Sequence, residues 1–179
     1  MKVKFVNYRN INELLISKPW IIPIIIFMLR RSNYVTAREI GEFWNTRTSI
    51  IKRGIWWLKR CGIIEKIENE VSKFKLKEKS IPKLRKILSN YWIKRNKIVV
   101  KMGNILFLIM IRKRKIVVKS VHESYVLKVY EFLKKSKKPL MKKDISLALN
   151  LPISLLSTLL RILEIRDMII RKDGMYSVH

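Results

Sequence analysis

A shift of 105 residues lays this chain on itself: positions 20–64 fall on 125–169 without a gap. Six of those 45 pairs are identical: Phe27/Phe132, Ile40/Ile145, Asn45/Asn150, Ser49/Ser154, Leu58/Leu163 and Ile64/Ile169. Trp20/Tyr125, Ile24/Val129, Val35/Leu140, Arg38/Lys143, Glu39/Asp144 and Ile50/Leu155 are similar. Two apolar helical stretches also align by chance, but here polar matches fall where turns are expected. A repeat constrains the fold more than any other feature, because each copy must contain the same supersecondary unit.

Each copy shows the same succession of patterns. A first helix is predicted over 20–31 and again over 124–135, followed by loops at 32–35 and 136–140. A second helix is predicted over 36–44 and 141–149. Thr36, with Glu39 three residues later, makes a capping box at the first of these. Asn45 and Asn150 close both, since Asn tolerates the left-handed conformation that a tight turn needs. A third helix is predicted over 48–61 and 153–166, then apolar strands over 63–67 and 168–171. The turns Glu68-Asn69-Glu70 and Lys172-Asp173-Gly174 lead into return strands over 71–76 and 175–178. Asp-Gly is a strong hairpin signal.

Three helices and a hairpin in this order resemble the winged-helix variant of the helix-turn-helix family. The stretch IIKRGIWWLKRCGII (50–64) carries the resemblance best. It looks like the third helix and first wing strand of archaeal and bacterial winged-helix regulators, with Leu58 four residues before Gly62. In the second copy, LLSTLLRILEIRDMII (155–170) keeps Leu163 but has Asp167 where Gly62 stands, a departure at one turn. The resemblance implies an α+β chain of two winged helices whose third helix enters the major groove of DNA. Winged helices also bind RNA and proteins, so the fold leaves the function open. The expected domains are an N-terminal extension with the first winged helix (1–78), a basic helix and three-stranded β linker (79–122), and the second winged helix (123–179).

The charge narrows the class of partner. Lys and Arg number 40 against 13 Asp and Glu, a net charge of +27. Such a balance points to a polyanion, either nucleic acid or an anionic membrane face. The longest apolar run, 20–29, is too short to span a bilayer, and the Arg30-Arg31 flank lacks a small-residue cleavage site. The expected place is therefore the cytoplasm, on the nucleoid. Absence of Gln, only two Ala, and abundant Ile and Lys suit a thermophilic archaeal or viral source. AT-rich coding gives the same bias.

The middle segment, 79–122, holds 13 Lys and Arg and no acid. A helix is predicted over 81–93, with Leu84, Ile87, Leu88, Tyr91 and Trp92 on one face. Three apolar runs (98–102, 105–111 and 116–121) read as a meander. The central run, ILFLIMI, is apolar on both faces, so both must be covered. A partner subunit or a neighbouring winged helix would serve, which makes this segment a candidate homodimer surface. Arg112, Lys113, Arg114 and Lys115 sit at a hairpin tip suited to phosphates or a groove. A solvated turn, or a charge run guarding an aggregation-prone strand, is the alternative.

In the first copy the candidate DNA contacts are Arg38, Arg47, Thr48, Ser49, Lys52, Arg53 and Lys59, with Lys73 and Lys75 on the wing. Ile51, Ile55 and Leu58 take the inward face, leaving Lys52 and Arg53 to reach guanine edges. Trp56 and Trp57 are expected to pack, with base stacking the alternative. The second copy offers Ser154, Ser157, Thr158 and Arg161 on the equivalent face, and Lys142 and Lys143 at the start of its second helix. It is polar but sparsely charged, so it suits backbone docking or a protein partner.

Enzymatic readings lack parts. No glycine-rich phosphate loop exists among five glycines, and the single cysteine excludes an internal disulfide and a Cys-based zinc site. His122 beside Glu123 reads as a surface histidine rather than a general base. Cys61 reads as a packed thiol, although Lys59 and Arg60 would favour its thiolate. No enzyme, cofactor, metal or catalytic residue is expected. The expected function is a transcriptional regulator reading duplex DNA through the first copy. A replication or partition initiator, a low-specificity architectural protein, an RNA binder and a protein-interaction scaffold stand as alternatives.

Overall fold

The structure, a computed structural model, describes residues 10–31, 33–67, 72–136 and 138–179. The predicted wing turn at 68–70, Val71, Ser32 and Lys137 lie outside the described residues. The architecture is α+β, with antiparallel sheets. Among the described residues no single helix is long and apolar enough to cross a membrane.

The N-terminal extension holds α1 (Ile11–Ser17), whose first turn is capped by the Asn10 side chain accepting from the Glu13 amide at 2.9 Å. The next helix, α2 (Ile22–Arg30), has Pro23 in its first turn, where a missing N–H costs nothing. Ile21 to Met28 are all buried, so α2 is a core helix apolar all round. Fully burying each Ile is worth about 1.5–3 kcal/mol, which makes α2 the main anchor of this copy. Strand β1 (Val35–Thr36) leads into α3 (Ala37–Phe43), where the predicted capping box is present with both hydrogen bonds. Then come α4 (Thr48–Arg60), β2 (Ile64–Ile67) and β3 (Lys73–Leu76), with sheet order β1-β3-β2. Gly54 sets the approach of α4 to α2, since a Cβ there would lie 2.2 Å from Ile24 Cδ1.

The middle segment differs from the prediction. Helix α5 (Ile81–Ile87) stops early, and Tyr91–Lys94 forms strand β4 instead of the helix's last turn. Ser89 and Asn90 break the helix, and Tyr-Trp-Ile prefers a pleated surface. Arg95, at φ 55°, then turns the chain into β5 (Lys97–Met102). With β6 (Ile105–Arg112) and β7 (Lys115–His122) the sheet has four strands in the order β4-β5-β6-β7, not three. Ile98 pairs with Ile109 and Val99 with Leu108. Leu106 to Ile111 are buried on both faces of β6.

The second copy comprises α6 (Glu123–Lys135), β8 (Leu140–Met141), α7 (Lys142–Leu149), α8 (Ile153–Ile165), β9 (Ile169–Lys172) and β10 (Met175–Val178). Its sheet order, β8-β10-β9, repeats that of the first. The repeat holds down to single hydrogen bonds. Thr46 N–H donates to Gly41 O at 2.8 Å, and Leu151 N–H to Ser146 O at 3.0 Å. Ile63 N–H donates to Leu58 O, and Met168 N–H to Leu163 O, both at 3.0 Å. Asn45 and Asn150 are left-handed at φ 48° and 51°, and Gly62 and Asp167 at 66° and 53°. Asp167 therefore adopts the turn that Gly62 makes, so the departure noted in sequence leaves the backbone unchanged.

Contacts divide the chain into two units. One comprises Met1–Ser89 and Ile111–Val117, the other Asn90–Met110 and Val118–His179. The tip of the β6–β7 hairpin thus belongs with the first copy, and the body of the sheet with the second.

Candidate nucleic-acid interface

The first unit places its candidates around α4. Ile51, Gly54, Ile55 and Leu58 face inward and are buried. That fixes Ser49, Lys52, Arg53, Trp56 and Lys59 on the opposite side, all exposed. Arg47 is exposed at the start of α4 and Thr48 is half-buried. Arg38 is exposed but pairs with Glu42 at 2.7 Å. On β3, Lys73 is exposed, while Lys75 is half-buried with its ammonium 5.8 Å from the Tyr34 ring centroid. The Tyr34 hydroxyl donates to Glu65 at 2.9 Å, a bond that raises the phenol's pKa.

The hairpin tip joins this surface. The Arg47 amide donates to Lys113 O at 3.1 Å, and the Thr46 hydroxyl to Arg112 O at 3.0 Å. Arg112, Lys113, Arg114 and Lys115 all remain exposed. Arg53 shares a cavity of about 230 Å³ with Arg114 and Lys115, and Arg47 and Ser49 share one of about 720 Å³ with Lys113. Cations far apart in sequence are therefore brought together at one helix. Thr46, the buried residue that holds the tip, was missed in the sequence reading. Its one signal is a hydroxyl where the second copy has Leu151.

The second copy uses its third helix otherwise. Thr158, expected on an open face, is 5% exposed and accepts a hydrogen bond from the Lys119 ammonium at 3.2 Å. Arg161 is half-buried, its guanidinium 3.3 Å from Met110 Sδ. Helix α8 packs on β4 and β5, so its own unit supplies the cover for one side of the apolar sheet. Thr158 is thereby withdrawn from any accessible reading face. Ser157 is half-buried and takes a hydrogen bond from Lys142 at 3.2 Å. Ser154 and Lys143 stay exposed.

The residues considered for chemistry have structural roles. The His122 ring Nδ1 accepts from the Ser124 amide at 3.3 Å and so caps α6. Burial pushes the Cys61 thiol up, and the Arg60 charge opposes this more weakly, so the basic neighbours do not favour its thiolate. Among the described residues no group of three or more His, Cys, Asp or Glu is placed to hold a metal ion. No protein-family model matches the chain, and no curated protein matches it in sequence.

Proposed function

We propose that this chain is a non-catalytic DNA-binding protein, a regulator acting at the nucleoid, and that each repeat is a winged helix. The first module carries the contact. Helix α4, about 20 Å long at 1.5 Å per residue, suits the major groove. Lys52 and Arg53 face the base edges, and Arg47 and Lys59 flank them toward the backbones. The observation that carries the reading is the docking of the basic tip, residues 112–115, beside α4. It adds exposed cations to those that α4 itself carries, as a protein that grips phosphates requires. The second module contributes no reading helix, because α8 is covered. Its exposed Lys143 and Ser154 are left for backbone contacts.

Selection of fragmented genomic DNA at about 0.2 M salt, which suppresses much purely electrostatic binding, tests this. Enrichment of one motif is expected, and retention of nothing overturns the reading. On the selected duplex, Lys52→Ala and Arg53→Ala should each weaken binding by about 1–3 kcal/mol, while Ser157→Ala changes it little. Retention without a motif would favour the architectural alternative.

A further inference from the structure

Trp56 is the exposed member of the five tryptophans, half of its surface reaching solvent in the middle of the basic face of α4. The fold does not require it, because the same helical position in the second copy is Arg161. Sequence periodicity favoured packing for this indole, and the structure places it in the open. Its ring meets Trp57 edge-on at 4.8 Å, with the Arg60 guanidinium 5.2 Å from its centroid. These contacts hold the indole in place without covering it.

Beside it lies a cavity of about 570 Å³ within the first unit. Buried Ile55 and Phe74 supply apolar lining. Lys52, Lys59 and Lys66 line it as well, and among the described residues no carboxylate does. An aromatic wall, an apolar floor and lysines at the side match one chemistry: a flat heteroaromatic ring on an anionic backbone. A lipid chain would leave the lysines without purpose, and a bare phosphate would leave the indole so.

We propose that this cavity receives an unstacked nucleobase against Trp56, with Lys59 on the neighbouring phosphate. The inference rests on the reading of α4 as a DNA surface and sharpens it: the favoured target is duplex DNA interrupted by an unpaired nucleotide. Stacking of this kind tolerates any base, because each presents a π face.

The test compares a paired duplex with the same duplex carrying one unpaired 2-aminopurine. The full-length protein should bind the interrupted duplex about tenfold more tightly, and the 2-aminopurine fluorescence should fall as the base stacks on the indole. Trp56→Ala should abolish both the preference and the quenching, so that the two duplexes are bound alike. Trp56→Phe should retain most of both. Since the quenching is read on the unaltered protein, the proposal does not depend on a variant folding. Equal affinity for the two duplexes, or an unquenched base in the complex, overturns it and leaves the DNA reading standing. Binding to neither duplex overturns both.

Discussion

Helices α4 and α8 hold the same place in their modules and share backbone bounds at the 105-residue offset, Thr48–Arg60 and Ile153–Ile165. Their surfaces are used in opposite ways. Arg53 is exposed, and its counterpart Thr158 is buried beneath a lysine of β7. Arg60 is exposed at the end of α4, while Ile165 is buried at the end of α8. Helix α4 has room for a partner, and α8 already has one, the β4–β5 face of its own sheet. The lesson concerns duplication: a backbone can be copied to the level of single hydrogen bonds while one helix face is left open in one copy and made core in the other. Gly54 and Leu159 show the same divergence inside the modules. One copy leaves space for Ile24, and the other fills the position with a buried leucine.

Exchanging residues between the copies breaks this comparison most directly. Thr158→Arg, which copies Arg53 into α8, should destabilise the protein by about 3 kcal/mol by burying a cation near Lys119. Arg53→Thr should alter stability by less than about 0.5 kcal/mol, as an exposed position does. Urea unfolding of both variants checks the pair, and equal effects would mean that α8 is no more covered than α4.

The turn after the third helix is the next test. Gly62 and Asp167 share a left-handed conformation, and nothing within 4 Å would meet a Cβ at Gly62. Gly62→Ala should therefore cost about 1–2 kcal/mol through backbone strain alone. Gly62→Asn should cost less, since Asn, like the Asp of the second copy, tolerates this region. A melting temperature unchanged by both substitutions would contradict the assignment.

The smallest effect concerns the second helix of each module. Thr36 caps α3 through the Glu39 amide at 3.1 Å, whereas Met141, at the same place before α7, makes no side-chain cap. Thr36→Ala should cost about 1 kcal/mol at neutral pH. The Glu39 carboxylate is held below its ordinary range, first by the Thr36 amide and then by the Thr36 hydroxyl. A carboxyl lowered on folding adds stability above its unfolded pKa and loses it as the pH falls through the folded one. Amide exchange at the start of α3 should therefore accelerate in acid, and a start of α7 that accelerates equally would remove the distinction.

Much of this was readable in the residues. The repeat located α8 to within one residue, and the capping box and both asparagine turns were visible as motifs. The middle segment was misread at 91–94, because Tyr-Trp-Ile fits a helix face as well as a strand and only pairing with β5 decides between them. Sequence showed that 112–115 is a basic tip, but not where it goes, since a hydrogen bond from Thr46 to Arg112 spans 66 residues and leaves no local trace. The cover on α8 did leave a trace. Ile162 and Ile165 stand where α4 has Trp57 and Arg60, and that excess of apolar residues on the outer side marks a helix with a second neighbour.

The allocation of the hairpin tip also bears on how the protein is made. Ile111–Val117 completes a unit whose remaining residues end at Ser89. During synthesis the first module emerges with its hydrophobic core in hand, yet its surface stays unfinished until the ribosome has passed residue 117. Closing so long a loop adds only modestly to the entropic cost, but it delays the contact. A nascent chain stopped at residue 89 would carry α4 without the added cations. The cations of the tip would then reach α4 only after the middle of the chain has been made.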